Sequence, residues 1–310
     1  MQISRYNRIS EWLIVAYLAF LSIFILTFRG FITAWLPLLA AQAAAGTVLI
    51  VLVKVQSTRP DQPVLRVIRN WLPLPYILFG YKMVHFLINS DRNPGFMTIR
   101  DGWLIAADRY LFGGDPTVWL QRITDPWLTE LMQIVYAANY FLPLILVLAL
   151  YLKRERIPFQ QSVFVITLGY FLSFLGYFII PAIGPRFTIL HRVPLQGVFI
   201  RETLERLNYC LDSCPRDCFP SGHTEIPLLT LWLASRFQRG LFRVYLPIVA
   251  VLVCSTVYLR YHYVVDVLAG MALAGIVIVL AKKAERRMGK RRSNVQPPTL
   301  KNDERNLKSQ

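Results

Sequence analysis

The sequence predicts an all-α integral membrane protein with about eight transmembrane helices, and three observations carry that prediction. Hydrophobic residues make up 55% of the 310-residue chain and charged residues 17%, with a mean hydropathy of +0.43; a soluble domain carries roughly 25% charge. The charges are segregated, with none from Phe31 to Val53, from Leu131 to Leu152, or from Ile157 to Pro185. Each of those runs reaches the ~20 residues that a helix needs to cross a bilayer. This composition excludes a soluble enzyme, a disulfide-held miniprotein and a disordered chain. A net charge of +16 does not point to nucleic acid, because the basic residues lie mostly between apolar runs and in the C-terminal tail.

The predicted spans are 12–28, 31–54, 70–89, 127–152, 158–181, 218–236, 241–260 and 262–282. The first run is too long, and too soon followed by another, for a cleaved signal peptide. Between the third and fourth spans, Asp91 to Pro126 mixes apolar pairs with charge. It reads as helices lying on the membrane surface, with Trp103, Tyr110, Trp119 and Trp127 at headgroup depth. Three parts are expected: N-terminal membrane helices with this amphipathic segment (1–126), a catalytic membrane core (127–282) and a basic, disordered cytoplasmic tail (283–310). With the N-terminus inside, 22 of the 34 Lys and Arg fall in cytoplasmic segments, and 12 of the 18 acids fall on the other side. The positive-inside rule then puts both termini in the cytoplasm.

Three stretches converge on the non-cytoplasmic face by alternation alone: Pro181 to Arg186, Phe219 to Thr224, and Arg260 to Asp266. The uncharged core of the sixth span, Ile226 to Ser235, has only ten residues, and that of the eighth, Val267 to Ala281, only fifteen. Completing either span draws ionisable groups to membrane depth, where they are costly and usually functional. His262 and Asp266 stand at i and i+4, on one helical face. A carboxylate there can accept the imidazole N–H, fix the tautomer and leave the other nitrogen free to attack or to take a proton. Pro220-Ser221-Gly222 before a helix forms an anion cradle, with Gly222 allowing close backbone approach. His223 can protonate a leaving oxygen, and Arg186 can neutralise phosphate charge.

At these residues the sequence resembles the type 2 phosphatidic acid phosphatase superfamily, whose signature joins a Lys/Arg motif, Pro-Ser-Gly-His, and a Ser-Arg followed by His and Asp. Pro220-Ser221-Gly222-His223 matches the second part, and His262 with Asp266 the end of the third. The resemblance implies a six-helix core preceded by N-terminal helices. It implies His262 as nucleophile, Asp266 as its orienting partner, His223 as general acid, and Arg186, Ser221 and Gly222 at the phosphate. Thr256 and Ile179 stand where the family carries cations. That departure, together with Leu111 to Pro116, resembles the inositol phosphorylceramide synthase branch. Losing cations suits a singly charged diester better than a monoester.

Lys82 and His85, at i and i+3, and Arg260 are further candidates for substrate binding. Glu225 follows the cradle; an acid near a helix N-terminus is favourable in itself. Cys210, Cys214 and Cys218 recur every four residues, and one disulfide among them is expected. No metal or other cofactor is expected, since no cluster of carboxylates or histidines offers a divalent ion three ligands. The expected activity is transfer of a phospho-headgroup, of the inositol-phosphate type, from a phospholipid to a lipid alcohol such as ceramide or diacylglycerol. The alternative is a phosphatase that releases inorganic phosphate from phosphatidic acid or from a polyprenyl or sphingoid phosphate. A transporter, with the histidines as proton relay, calls for a paired repeat, and none is visible.

Overall fold

The structure, a computed structural model, describes residues 5–89, 98–211 and 216–293. Helix α1 spans Arg5–Thr27, α2 Trp35–Thr58, α3 Pro63–Trp71, α4 Pro73–Ile88, α5 Asp101–Phe112 and α6 Pro116–Trp119. They are followed by α7 Pro126–Ala137, α8 Phe141–Leu152, α9 Arg156–Ile179, α10 Pro185–Thr188, α11 Arg201–Leu211, α12 Gly222–Phe237, α13 Arg239–Tyr258 and α14 Val264–Ser293. Among the described residues there is no β-strand, only an isolated bridge between Ala182 and Asp217. Seven segments are long and apolar enough to cross a bilayer, which makes this a multi-pass membrane protein.

Seven rather than eight meet that standard because α12 has only 16 residues. Ser221, in an extended conformation, precedes its first turn. The helix is nonetheless central: α12 packs against α8, α9, α13 and α14, and Ile226, Leu229 and Leu233 are fully buried. The third predicted span is two helices, broken before Pro73 because proline cannot continue the hydrogen-bond ladder. The fourth has a 3₁₀ turn at Ala138–Tyr140 between α7 and α8. The last begins at Val264 and runs to Ser293, past the predicted end at 282; hydropathy marks where the apolar core stops, not where the helix does. Arg236 meets Glu285 on this extension at 3.0 Å.

The N-terminal helices pack on the rest through α1 and α4, both of which contact α9. They are tied to one another by Arg69, which is buried and donates to Glu11 and to Gln56. Elsewhere α2 is largely exposed, as a lipid-facing helix should be.

Candidate active site

The two histidines belong to the wall of a cavity of about 580 Å³. Its walls come from α4, α8 and α9 and are apolar and aromatic, including Ile77, Val147, Ile166 and Phe174. His223 and His262 both line it, with ring centroids 5.8 Å apart. Sequence separation becomes proximity because α12 leads away from His223 and α13, packed against it, returns to His262. The turn at its end is fixed by the Thr256 carbonyl, which accepts from the amides of Tyr261 (3.0 Å) and His262 (3.1 Å). Thr256 itself is fully buried, and Ile179 is exposed.

His262 is 4% exposed and Asp266 fully buried. Nδ1 of His262 lies 3.6 Å from Oδ2 of Asp266, longer than a hydrogen bond. The same oxygen accepts from the Tyr263 amide at 3.0 Å and from the Cys218 thiol at 2.8 Å. Oδ1 has no hydrogen-bond partner among the described residues. A small rotation of the carboxylate would therefore close the His262 contact, and catalytic hydrogen bonds are often long before substrate arrives. Burial, and after it the Asp266 carboxylate, push the Cys218 thiol pKa up, so the sulfur stays an S–H donor.

His223 is positioned by aromatic rings. Tyr136 stacks on it at 4.3 Å and 15°, and Tyr261 stacks on the other side of Tyr136 at 4.6 Å. Gly222 opens α12 and lines the cavity, which places the helix N-terminus at its wall. Ser221 is fully buried, and its amide donates to the Asp266 carbonyl at 3.3 Å. This ties the start of α12 to that of α14, and it requires Gly270: a Cβ there would approach the Ser221 carbonyl oxygen to 2.5 Å.

The other candidates scatter. Arg186 lies beyond Tyr261, whose hydroxyl is 3.5 Å from its Nη1. Arg186 pairs with Glu205 and faces a different cavity, which Arg260 also lines. Lys82 is exposed and His85 half-buried, and neither lines the histidine cavity; on the same helix Tyr81 does, while donating to Asp217 at 2.7 Å. Glu225 is fully buried against α9, hydrogen-bonded by Ser173, and is not part of the cavity wall.

Two expectations need correction. Cys210 and Cys218 are free thiols, so the expected bridge does not join them: Cys218 is buried against Asp266 whereas Cys210 is exposed. Cys214 lies outside the described residues, as do 90–97 and 294–310. Three metal-type donors do come together, contrary to the sequence argument. One atom each of Cys218, His262 and Asp266 lies within 4.8 Å of the others. The sequence argument overlooked the thiol, the nearest partner of Asp266. A soft divalent ion could bind there, but it would take from His262 the carboxylate that orients it.

Sequence reasoning also missed the support beneath the site. Asp101 is buried; its oxygens accept from the amides of Ile183 (2.9 Å) and Gly184 (2.8 Å) and from the Tyr263 hydroxyl (2.7 Å). Asp108, one face further along α5, accepts from the amides of Val264 (3.0 Å) and Val265 (2.9 Å). It thus caps α14 just after His262, where a negative charge is favourable. The spacing of seven, which repeats on one helical face, was the available signal. Gly184 has φ of 91° and passes so close to Tyr261 that a Cβ would come within 2.5 Å of its carbonyl oxygen.

Residues 102–280 match the family model described as the PAP2 superfamily. No curated protein and no solved structure matches the chain.

Proposed function

We infer, for a chain that belongs to the PAP2 superfamily of membrane phosphatases and phosphotransferases, that it moves a phospho-headgroup from a phospholipid to a lipid alcohol through a phosphohistidine. The observation that carries this reading is the largely apolar cavity that His223 and His262 both line. Such walls fit acyl chains and keep water scarce at the reacting phosphorus.

In this mechanism Nε2 of His262 attacks phosphorus while Asp266 holds Nδ1 and stabilises the charge that forms on the ring. The bond from phosphorus to the leaving oxygen breaks, and His223 gives that oxygen its proton. The phosphoryl group is then bonded to His262, its oxygens near the N-terminus of α12 at Gly222. The acceptor hydroxyl passes its proton to His223 and attacks phosphorus, which frees His262. A ceramide or diacylglycerol hydroxyl, arriving with its chains in the cavity, would outcompete water. Thr256 and Ile179, in place of cations, favour an inositol-phosphate diester over a dianionic monoester. No step requires a metal, and turnover should survive EDTA. Residues 127–282 would form the catalytic core and 1–126 its membrane support. Both termini would be cytoplasmic, with the site on the periplasmic or lumenal side.

The test is product analysis with purified protein, labelled phosphatidylinositol and ceramide or diacylglycerol. Transfer of the labelled headgroup should exceed hydrolysis. Rapid release of inorganic phosphate from phosphatidic acid, unaffected by added lipid alcohol, would establish the phosphatase instead. For the topology, a cysteine placed in 186–208 should react with an impermeant thiol reagent from outside; labelling of one placed in 294–310 instead would reverse the orientation.

A further inference from the structure

Beyond Tyr261 lies a second cavity, of about 430 Å³, lined by Arg186, Arg201, Arg260, His191 and apolar residues such as Leu190 and Leu195. The three arginines arrive on separate elements: α10, the start of α11, and the turn between α13 and α14. Arg260 is 8% exposed, its backbone has φ of 67°, and its Nη2 donates to the Val193 carbonyl at 2.6 Å. A left-handed backbone is costly for a residue with a Cβ, so this charge is held at the cavity wall at some expense.

The charges there are unbalanced. Glu205 pairs with both Arg186 and Arg201, the latter at 2.8 Å. Glu130 is close by, but it does not line the cavity, and its oxygens accept from the amides of Val198 and Ile200. His191 adds no charge near neutral pH, because burial and then the charge of Arg260 push its pKa down to about 4. Three guanidinium groups therefore line the cavity, no carboxylate lines it among the described residues, and Glu205 meets two of the three. Nε of Arg201 is buried and has no hydrogen-bond partner among them. Burial, with the neighbouring charges of Arg186 and Arg201 acting the same way, lowers the pKa of Arg260. Like charges brought together out of water are costly unless an anion joins them, and guanidinium forks fit phosphate oxygens.

We propose that the second cavity is an anion subsite that holds a further phosphate group, across Tyr261 from the cavity containing the histidines. The group is either an additional phosphate on a lipid headgroup, as on a phosphorylated inositol, or free inorganic phosphate. The proposal rests on the reading that the reacting phosphate is bound at His262, which leaves these arginines to a second anion.

The test measures binding rather than turnover. Inorganic phosphate is titrated calorimetrically into the full-length protein in detergent micelles. Arg201→Gln should weaken binding at this site by about tenfold or more, the loss of one charge-assisted contact, and Arg201→Lys by less. Arg260→Gln should repeat the loss from a different element, so that the misfolding of one variant does not decide the matter. His262→Ala should leave the site intact. Displacement of inorganic phosphate by phosphatidylinositol 4-phosphate, but not by phosphatidylinositol, assigns the site to a headgroup phosphate; no displacement by either assigns it to the free ion. Phosphate binding that is absent from the wild type, or that survives both arginine substitutions unchanged, overturns the proposal and leaves the catalytic reading standing. Wild-type protein that binds phosphate through Arg201 yet turns over no phospholipid sinks the catalytic reading alone.

Discussion

Two cavities lie on either side of Tyr261, and the chain builds them from opposite materials. The larger is walled mainly by membrane helices and is largely apolar, with His223, His262, Cys218 and Asp217 among its few ionisable lining groups. The smaller is walled by connecting segments and carries three arginines. In the first, the reactive groups stand against close neighbours: Cys218 on Asp266, Asp266 near His262, and Tyr136 on His223. In the second, charge exceeds what local partners balance. On the proposed reading, the contrast separates a place for changing bonds from a place for holding charge, because a nucleophile needs orientation and little water whereas an anion needs only donors.

The largest expected break of this contrast is at His262. His262→Ala should reduce turnover by about a thousandfold or more, since it removes the atom that forms the covalent bond. Asp266→Asn should cost about a hundredfold by losing the anion that fixes the ring. Both should leave phosphate binding at the arginines unchanged, as read by calorimetry on folded protein. Retained turnover in His262→Ala would end the nucleophile assignment.

Asp101→Ala should damage both cavities together. Its carboxylate holds the stretch that brings Ile183 to the first and Arg186 to the second. Three lost hydrogen bonds to a buried charge should lower stability by about 3 kcal/mol, visible as a lower melting temperature in detergent. Wild-type melting would show that α5 is not a support.

Tyr136→Leu should act on the first cavity alone. Losing the ring that stacks on His223 is worth about 1 kcal/mol, or about fivefold in turnover, and the acidic limb of the pH–rate profile should move. An unchanged profile would mean that Tyr136 merely fills space.

The smallest effect belongs to the second cavity and is a dependence of stability on pH. His191 stays neutral in the fold down to about pH 4, whereas an unfolded histidine titrates at 6.5. Protons in that window bind the unfolded chain preferentially, so stability is fully present above pH 6.5 and falls as the pH drops towards 4. His191→Gln should flatten this part of the melting-temperature profile by a few degrees at most. Identical profiles for the two proteins would show that the ring is not held neutral.

Much of this was legible before folding. Uncharged runs such as 157–185 had to become membrane helices, because lipid leaves backbone amides no other partners. The i, i+4 spacing of His262 and Asp266 predicted a shared helical face, but His262 lies in the turn before α14, which starts at Val264, and the Thr256 carbonyl rather than a helix holds it there. Helix ends were misplaced where hydropathy did not set them: proline breaks the third span before Pro73, and α14 continues past its apolar core.

By itself, then, the sequence determined the helical membrane class, because hydropathy is read along a single helix, and it singled out His223 and His262 as candidates through their motifs. Only the tertiary structure decided that Cys218 sits on Asp266 rather than in a disulfide, that Asp101 and Asp108 anchor the turns of the site, and that Arg186 and Arg260 belong to a cavity of their own. Each of those is a contact between residues far apart in the chain. It depends on the angles at which α5, α12 and α14 pack, and no local pattern of residue types encodes such an angle.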